Sequence, residues 1–272
     1  MIVTERHSGP GPLSLAGYIA HLMRLAVRTS TRDLRVFLVM NSLMLIQNFI
    51  MFMVWFIFFS HFSSLRGWEL GDLATLYGMA ASSFGLAFLI GGGTLDVGRT
   101  ILNGELDSHL CTPRHPLLAL VFRESREAGL GDVATAFAMW FLVAGYSVSD
   151  LTWLIPMMIF GAMIMQATAI TVHALPFFLP LGSGMPDRIM EAFILVSTYP
   201  HNGFSPAAKI LTLTLFPAGF IAFVPVEAMR TQNLGLLLAM GGAACGYLAL
   251  SVAIFNRGLR HYTSGNRMIE MR

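Results

Sequence analysis

Residues 36–60 read VFLVMNSLMLIQNFIMFMVWFIFFS, twenty-five positions without a charged side chain. At about 1.5 Å per residue a helix over this run is about 37 Å long, enough to cross a hydrocarbon core of about 30 Å with some tilt. Further uncharged runs follow at 73–95, at 133–149 between Asp132 and Asp150, and at 151–181, where Pro176 and Pro180 mark the end. Residues 189–229 are mostly apolar but broken by Pro200, Pro206, Pro217 and Pro225, and 234–255 form the last run. The pattern predicts six membrane crossings, the fifth irregular.

Composition agrees. The 272 residues are 55% hydrophobic and 12% charged, against about 45–50% and about 25% in a soluble domain. That balance cannot cover the surface of a soluble globule, and it excludes a disordered chain, a collagen and a disulfide scaffold. The two cysteines, Cys111 in a loop and Cys245 in the last run, form no CxxC or Cys/His spacing, so no metal site is expected. No short apolar segment with a small-residue cleavage site precedes residue 36, so the N-terminus is expected to stay in the mature protein.

The basic residues orient the chain. Six crossings put both termini on one side, and that side then holds Arg6, Arg24, Arg28, Arg32, Arg35, Arg99, Arg114, Arg123, Arg126, Arg188, Arg257, Arg260, Arg267 and Arg272, fourteen of the 17 Lys and Arg. Only Arg66, Lys209 and Arg230 fall opposite. The positive-inside rule makes the fourteen-residue side cytoplasmic. Any single Arg there is equally explained by headgroup anchoring.

Between the runs, three segments carry information. Residues 1–12 read as a loose tail, and 13–35 show helical periodicity, with Leu15, Ile19, Leu22 and Ala26 on one face and His21, Arg24, Arg28 and Arg32 nearer the other. Such a basic amphipathic helix lies in the membrane interface as an elbow, or folds onto the protein's own cytoplasmic surface. Residues 96–130 form a polar loop whose Arg123, Glu124, Arg126 and Glu127 must sit at the membrane edge or outside it, since each charge at a helix centre costs about 2.5–3.5 kcal/mol. Within it Leu102, Leu106 and Leu110 recur every four residues, the spacing of one face of a short helix over 99–112, ended by Pro113 and Pro116. Those leucines need a cover, either this chain's own spans or another subunit. Residues 199–231 carry too many prolines for one straight helix and fit an external re-entrant segment, with Lys209 and Glu227 at its polar ends.

Catalytic chemistry is missing from the sequence. No GxxxxGK[ST] occurs: Gly91-Gly92-Gly93 is followed by Thr94, and the only lysine is Lys209. The triple glycine reads as a close helix-packing site. No HExxH occurs, and Ser82, Ser83 and His173 make a poor candidate dyad. Gln47, Asn48, Gln166 and His173 are the polar residues within the apolar runs, while Asp, Glu, Lys and Arg are missing from the middle of each clear run. That argues against a self-powered, ion-coupled transporter. Gln47 and Asn48 serve either as glue between helices or as lining of a path. The residues alone thus describe an all-α membrane protein without an internal energy source, working with a partner.

Asn103-Gly104-Glu105-Leu106-Asp107, followed by Leu110, Pro113 and Pro116, resembles the G-E-L-D-x-x-L-x-x-P-x-x-P signature of the membrane subunits of type-2 ATP-binding-cassette exporters. Tyr199-Pro200, the Pro217 to Pro225-Val226-Glu227 stretch and the tail from Arg257 to Asn266 resemble the same family, whose tail commonly reads R-G-L-R-R-Y-E-S; this chain departs from it at His261 and Thr263.

The resemblance implies a tail and elbow helix over 1–35, a six-span domain over 36–256 and a basic cytoplasmic tail over 257–272. Residues 99–112 would be the coupling helix, with Leu102, Leu106 and Leu110 entering a groove on an ATPase subunit, Pro113 and Arg114 beside them, and Glu105 and Asp107 either pairing with it or simply solvated. Two permeases, identical or different, would form a dimer around the path and dock two ATPases that bring the ATP and Mg; this chain holds no cofactor. The path would run along the first, second and fifth spans, with Gln47, Asn48, Phe49, Phe52 and Trp55 as candidate lining. A prokaryotic inner membrane is the expected location, lipid the surrounding partner, and nucleic acid is not expected. With no carboxylate visible on the path, a strongly cationic substrate lacks a counter-charge, and the many Met and Phe suit an amphiphilic drug, lipid or lipid-linked molecule. The alternative is a non-transporting assembly or interaction protein on the same scaffold.

Overall fold

The computed structural model describes residues 14–62, 64, 67–111, 114–182, 184–200 and 204–262. Pro113, Arg66, His201 and the tail from Thr263 onward lie outside the described residues. Every regular element among the described residues is a helix. Helix α1 (Leu15–Ser30) begins at Ser14, whose hydroxyl accepts from the Gly17 N–H at 3.1 Å. Helix α2 (Leu34–His61) begins at Asp33, whose Oδ1 accepts from the Arg35 and Val36 N–H groups. Both are side-chain caps for the donors a helix start leaves unpaired.

Helix α3 (Leu70–Gly91) and the 3-10 turn Gly92–Asp96 run into α4 (Val97–Leu102), followed by α5 (Leu106–Leu110) and α6 (Pro116–Val121). Helix α7 (Gly129–Ala138) continues as a π turn, Met139–Val143. Then come α8 (Leu151–His173), α9 (Met185–Ser197), α10 (Pro206–Leu211), α11 (Ala218–Thr231) and α12 (Leu234–Leu259). Among the described residues, four stretches are long and apolar enough to cross a membrane: Leu34–His61, Leu70–Leu102, Val148–Phe177 and Leu234–Leu259.

Two expected crossings differ in form. The run 133–149 is a short helix starting at Gly129 and ending at Val143, about 22 Å at helical rise, less than a full hydrocarbon core. The fifth region is divided among α9, α10 and α11, as its prolines require: Pro206 opens α10, Pro217 precedes α11 and Pro225 lies inside it.

The core is built on α3 and α8, both buried along most of their length. Helix α2 fully buries only Asn48 and Phe52; Trp55 and Phe59 are partly buried, and many of its other apolar residues, among them Leu38, Leu43, Ile46, Ile50 and Val54, face outward from this chain. What lets helices approach α3 is the absence of side chains. A Cβ on Gly129 would strike the Gly85 backbone, and a Cβ on Gly85 would lie 2.7 Å from Asp132 Cβ. The α3 and α7 backbones therefore touch directly. One turn face along, a Cβ on Gly131 would lie 2.8 Å from the Asn41 carbonyl of α2. Between apolar helices in lipid no hydrophobic force drives association, so close backbone contact supplies it.

The end of α3 is also accounted for. Of its last four carbonyls, which have no partner within the helix, Phe88 accepts from the Arg126 N–H at 3.0 Å, Leu89 from the Ser125 hydroxyl at 2.7 Å and Gly91 from Gln166 Nε2 at 3.3 Å. Gly91, Gly92 and Gly93 each lie against a neighbour too close for a Cβ, including Val121, Arg126 and Leu120. The triple glycine is a packing site, as the sequence suggested. The opposite end of α3 is clamped to α11 by Arg230, whose Nε donates to Asp72 Oδ1 at 2.7 Å and whose guanidinium also reaches the Gly67 carbonyl and lies over the Trp68 ring.

Replacing Gly85 by Leu is expected to separate α3 from α7. Overpacking of this kind costs about 1–3 kcal/mol or more, and the purified protein should lose thermal stability in detergent; Gly182→Ala, where nothing lies within 4 Å of the new Cβ, should not change the melting curve.

Candidate functional site

Two regions carry the candidate residues: a cleft beside α2 and the short helices α4 to α6 at one end of the bundle.

The cleft has a volume of about 290 Å³ and is walled by α2, α3, α7 and α9. Gln47 and Asn48 line it from α2, Tyr77 and Phe84 from α3, Asp132 from α7 and Glu191 from α9. Asn48 is at the middle of α2 and is buried; its Nδ2 donates to Asp132 Oδ1 at 2.7 Å and lies 3.3 Å from Thr135 Oγ1. So Asn48 glues α2 to α7 and also lines the cleft. Gln47 is exposed there. The other three candidate path residues lie elsewhere. Phe49 is 56% exposed and faces a separate hollow beside Ala138 and Met139. Phe52 is buried, edge-to-face on Tyr77 with centroids 6.0 Å apart. Trp55 packs edge-to-face on Tyr199 at 5.8 Å.

The reading of Asp132 as a solvated boundary of the uncharged run 133–149 does not hold. Asp132 is only 3% exposed, level with the middle of α2. It stands just before an uncharged run, but α7 begins three residues earlier, and Gly129 and Gly131 ahead of it bring α3 and α2 close. The Gly129-Leu130-Gly131-Asp132 stretch was the available signal: small residues beside an acid at a helix crossing. Tyr77 and Glu191 carried no such signal.

Ser82, Ser83 and His173 form no dyad. Ser82 donates to the Met79 carbonyl, and His173 Nε2 faces Asp187 Oδ1 at 3.9 Å.

In the second region the expected single helix over 99–112 is two helices. α4 stops at Leu102, and Gly104 adopts φ +71. The Gly104 N–H reaches the Ile101 carbonyl at 3.2 Å and the Glu105 N–H the Thr100 carbonyl at 3.0 Å. This crossed pair is the Schellman termination, which wants glycine at the left-handed position. The chain then restarts as α5.

The break parts Leu102 from Leu106 and Leu110, which both lie on α5 and differ in burial. Leu106 is fully buried in a cluster with Ile101, Leu117 and Leu120, joined by Ile170 of α8 and Phe255 of α12. It is covered by this chain's own helices and cannot enter a partner's groove. Leu102 is half-buried and Leu110 is 46% exposed. Glu105 is exposed, and Arg114 lies over the Tyr18 ring of α1 at 5.5 Å.

Asp107 sits against Tyr262; burial, and then that carboxylate, push the phenol's pKa up. His109 is held below its ordinary pKa by partial burial and then by Arg123, with Glu105 acting in the opposite sense, so it is neutral at pH 7. Behind this platform Asp96 gathers Arg99 at 2.7 Å, Arg126 at 3.2 Å and Arg123 at 3.6 Å. The Ser30 hydroxyl donates to the Ser125 carbonyl at 2.6 Å, which joins α1 to the same loop.

The family model described as "ABC-2 family transporter protein" matches residues 45–266, well over half of the chain. No curated protein and no solved structure matches it. The chain belongs to the ABC-2 transporter family: it is a multi-pass membrane protein and a transmembrane subunit of an ABC transporter, of the kind that works with separate ABC ATPases.

Leu106→Ala should lower stability by about 2–5 kcal/mol, the cost of a cavity at a fully buried leucine. Leu110→Ala should stay within about 0.5 kcal/mol of the parent. Thermal unfolding of the purified variants separates the two.

Proposed function

We propose that this chain is the membrane subunit of an ATP-driven exporter, which moves an amphiphilic molecule by alternating access. The observation that carries the reading is the platform at α4 to α6. The Schellman turn at Gly104 fixes α5 as a separate, short element, with Glu105 and Leu110 outward and Leu106 inward. An ATPase gripping the outer face would move α5, and Leu106 would pass that movement to α6, α8 and α12, which it touches through one packed cluster. Interiors of this density transmit displacement rather than absorb it.

The sequence has no P-loop of its own, so ATP and Mg belong to the partner ATPases. Two permease copies, or two different permeases, would enclose the path, with the outward apolar face of α2 available to lipid or to the second permease. In this topology the chain crosses an inner membrane six times, using the short α7 and the broken α9 to α11 region as the third and fifth crossings. The external re-entrant segment is the region 199–231, of which 201–203 lie outside the described residues. Both termini and the α4–α6 platform lie in the cytoplasm, with α1 as the interfacial elbow. The arginine distribution supports that orientation. No observation on the fold favours a non-transporting scaffold over this reading.

Leu110→Asp places a charge on the outer face without disturbing the buried Leu106 cluster. Co-purification with the ATPase encoded beside this gene should retain at least roughly tenfold less ATPase than the parent, about 1.4 kcal/mol of docking energy, while the permease stays monodisperse. Equal retention would remove α5 as the docking element.

A further inference from the structure

Asp132 presents an unusual combination. Its Oδ1 is held by Asn48, while Oδ2, shielded from solvent, has no hydrogen-bond partner. It lines the cleft between α2, α3, α7 and α9, and among the described residues no Lys, Arg or His does. A carboxylate at this depth needs either a proton or a positive partner. The walls say which kind of partner fits. Besides Asp132 and Glu191, the lining is largely Met, Ala, Ile and Leu, with the Tyr77 and Phe84 rings.

A bare divalent ion needs about six or more oxygen ligands, and no group of three or more His, Cys, Asp or Glu is assembled among the described residues. A zwitterionic lipid headgroup would bring a phosphate with no basic side chain to meet it. An organic cation needs no oxygen shell, is poorly hydrated, and is attracted to aromatic faces. Glu191, exposed on α9 at the same cleft, would draw cations toward the opening.

We propose that this cleft binds the positively charged head of an amphiphilic organic cation, with the Asp132 carboxylate as its counter-ion, Asn48 as the residue that positions that carboxylate, and the Tyr77 and Phe84 rings as walls. The proposal rests on the exporter reading and reverses one part of the sequence-based expectation, that a cationic substrate lacks a counter-charge. The apolar tail of such a molecule would leave the cleft along the exposed Met51 and Leu195, which also line it.

The test is equilibrium binding of radiolabelled tetraphenylphosphonium to the full-length chain purified in a neutral detergent. Saturable binding is expected, competed by unlabelled tetraphenylphosphonium but not by triphenylphosphine oxide, which presents similar rings and carries no charge. Asp132→Asn keeps the shape and the acceptor for Asn48, and should weaken binding by roughly tenfold or more. A second measurement needs no variant: the cation should protect Asp132 of the parent protein from modification by dicyclohexylcarbodiimide, read by mass spectrometry. Equal binding by parent and Asp132→Asn, equal competition by the neutral triphenylphosphine oxide, or modification of Asp132 that saturating cation leaves unchanged would each overturn the proposal. No ATPase is present in either measurement. A failure here therefore leaves the docking of α5 untouched, and a failure of docking leaves this site standing.

Discussion

The direct backbone contact of α3 with α7 at Gly85 and Gly129 is the constraint on which the rest of the molecule depends. It brings a helix too short for an ordinary crossing against the most buried helix of the fold. Because Gly131 faces α2 in the same way, α7 is wedged between two long helices by missing side chains rather than by large ones. Asp132 follows immediately, still in the first turn of α7, and its burial is a consequence: it lies three residues from one glycine contact and one from the other. The Asn48 amide then meets the carboxylate where water does not. Small residues and a polar bond therefore do in this bundle what apolar burial does in water.

The same economy holds the loop end. Three of the four terminal carbonyls of α3 are satisfied by donors from other segments, two of them from the Ser125–Arg126 stretch. Asp96 pairs with Arg123 and Arg126 of that segment and with Arg99 of α4. The platform of α4 to α6 is thereby fastened to the helix that also carries Tyr77 and Phe84 of the cleft. Platform and cleft share α3 as a common rigid element, an arrangement suited to a protein whose work is done at one end and felt in the middle.

Much of this was legible in the residues. Uncharged length alone places α2 and α12, and the Asn103 to Leu110 pattern points to the family before any coordinate is known. The triple glycine reads correctly as packing. The errors have physical causes. Charge marks the edge of a span for solvated acids and fails to at Asp132, where glycines permit burial and an amide supplies a partner. A four-residue leucine repeat was taken to mark one helix face, but Gly104 interrupts the helix, so the leucines on either side of it do not share a surface. Periodicity also says that leucines need a cover without saying whose, and for Leu106 the cover is the chain itself. Tyr77 and Glu191 come to the cleft only through the tertiary fold.

The central claim is that this chain, driven by a partner's ATP hydrolysis, moves an amphiphile outward. Inside-out membrane vesicles carrying the chain together with its ATPase test it most directly, with a fluorescent amphiphilic cation outside. The account predicts ATP-dependent accumulation in the lumen that vanishes when either subunit is omitted or when the ATPase carries an inactive P-loop lysine. ATP-dependent accumulation that persists without this chain would contradict it, as would movement that ignores ATP when both subunits are present.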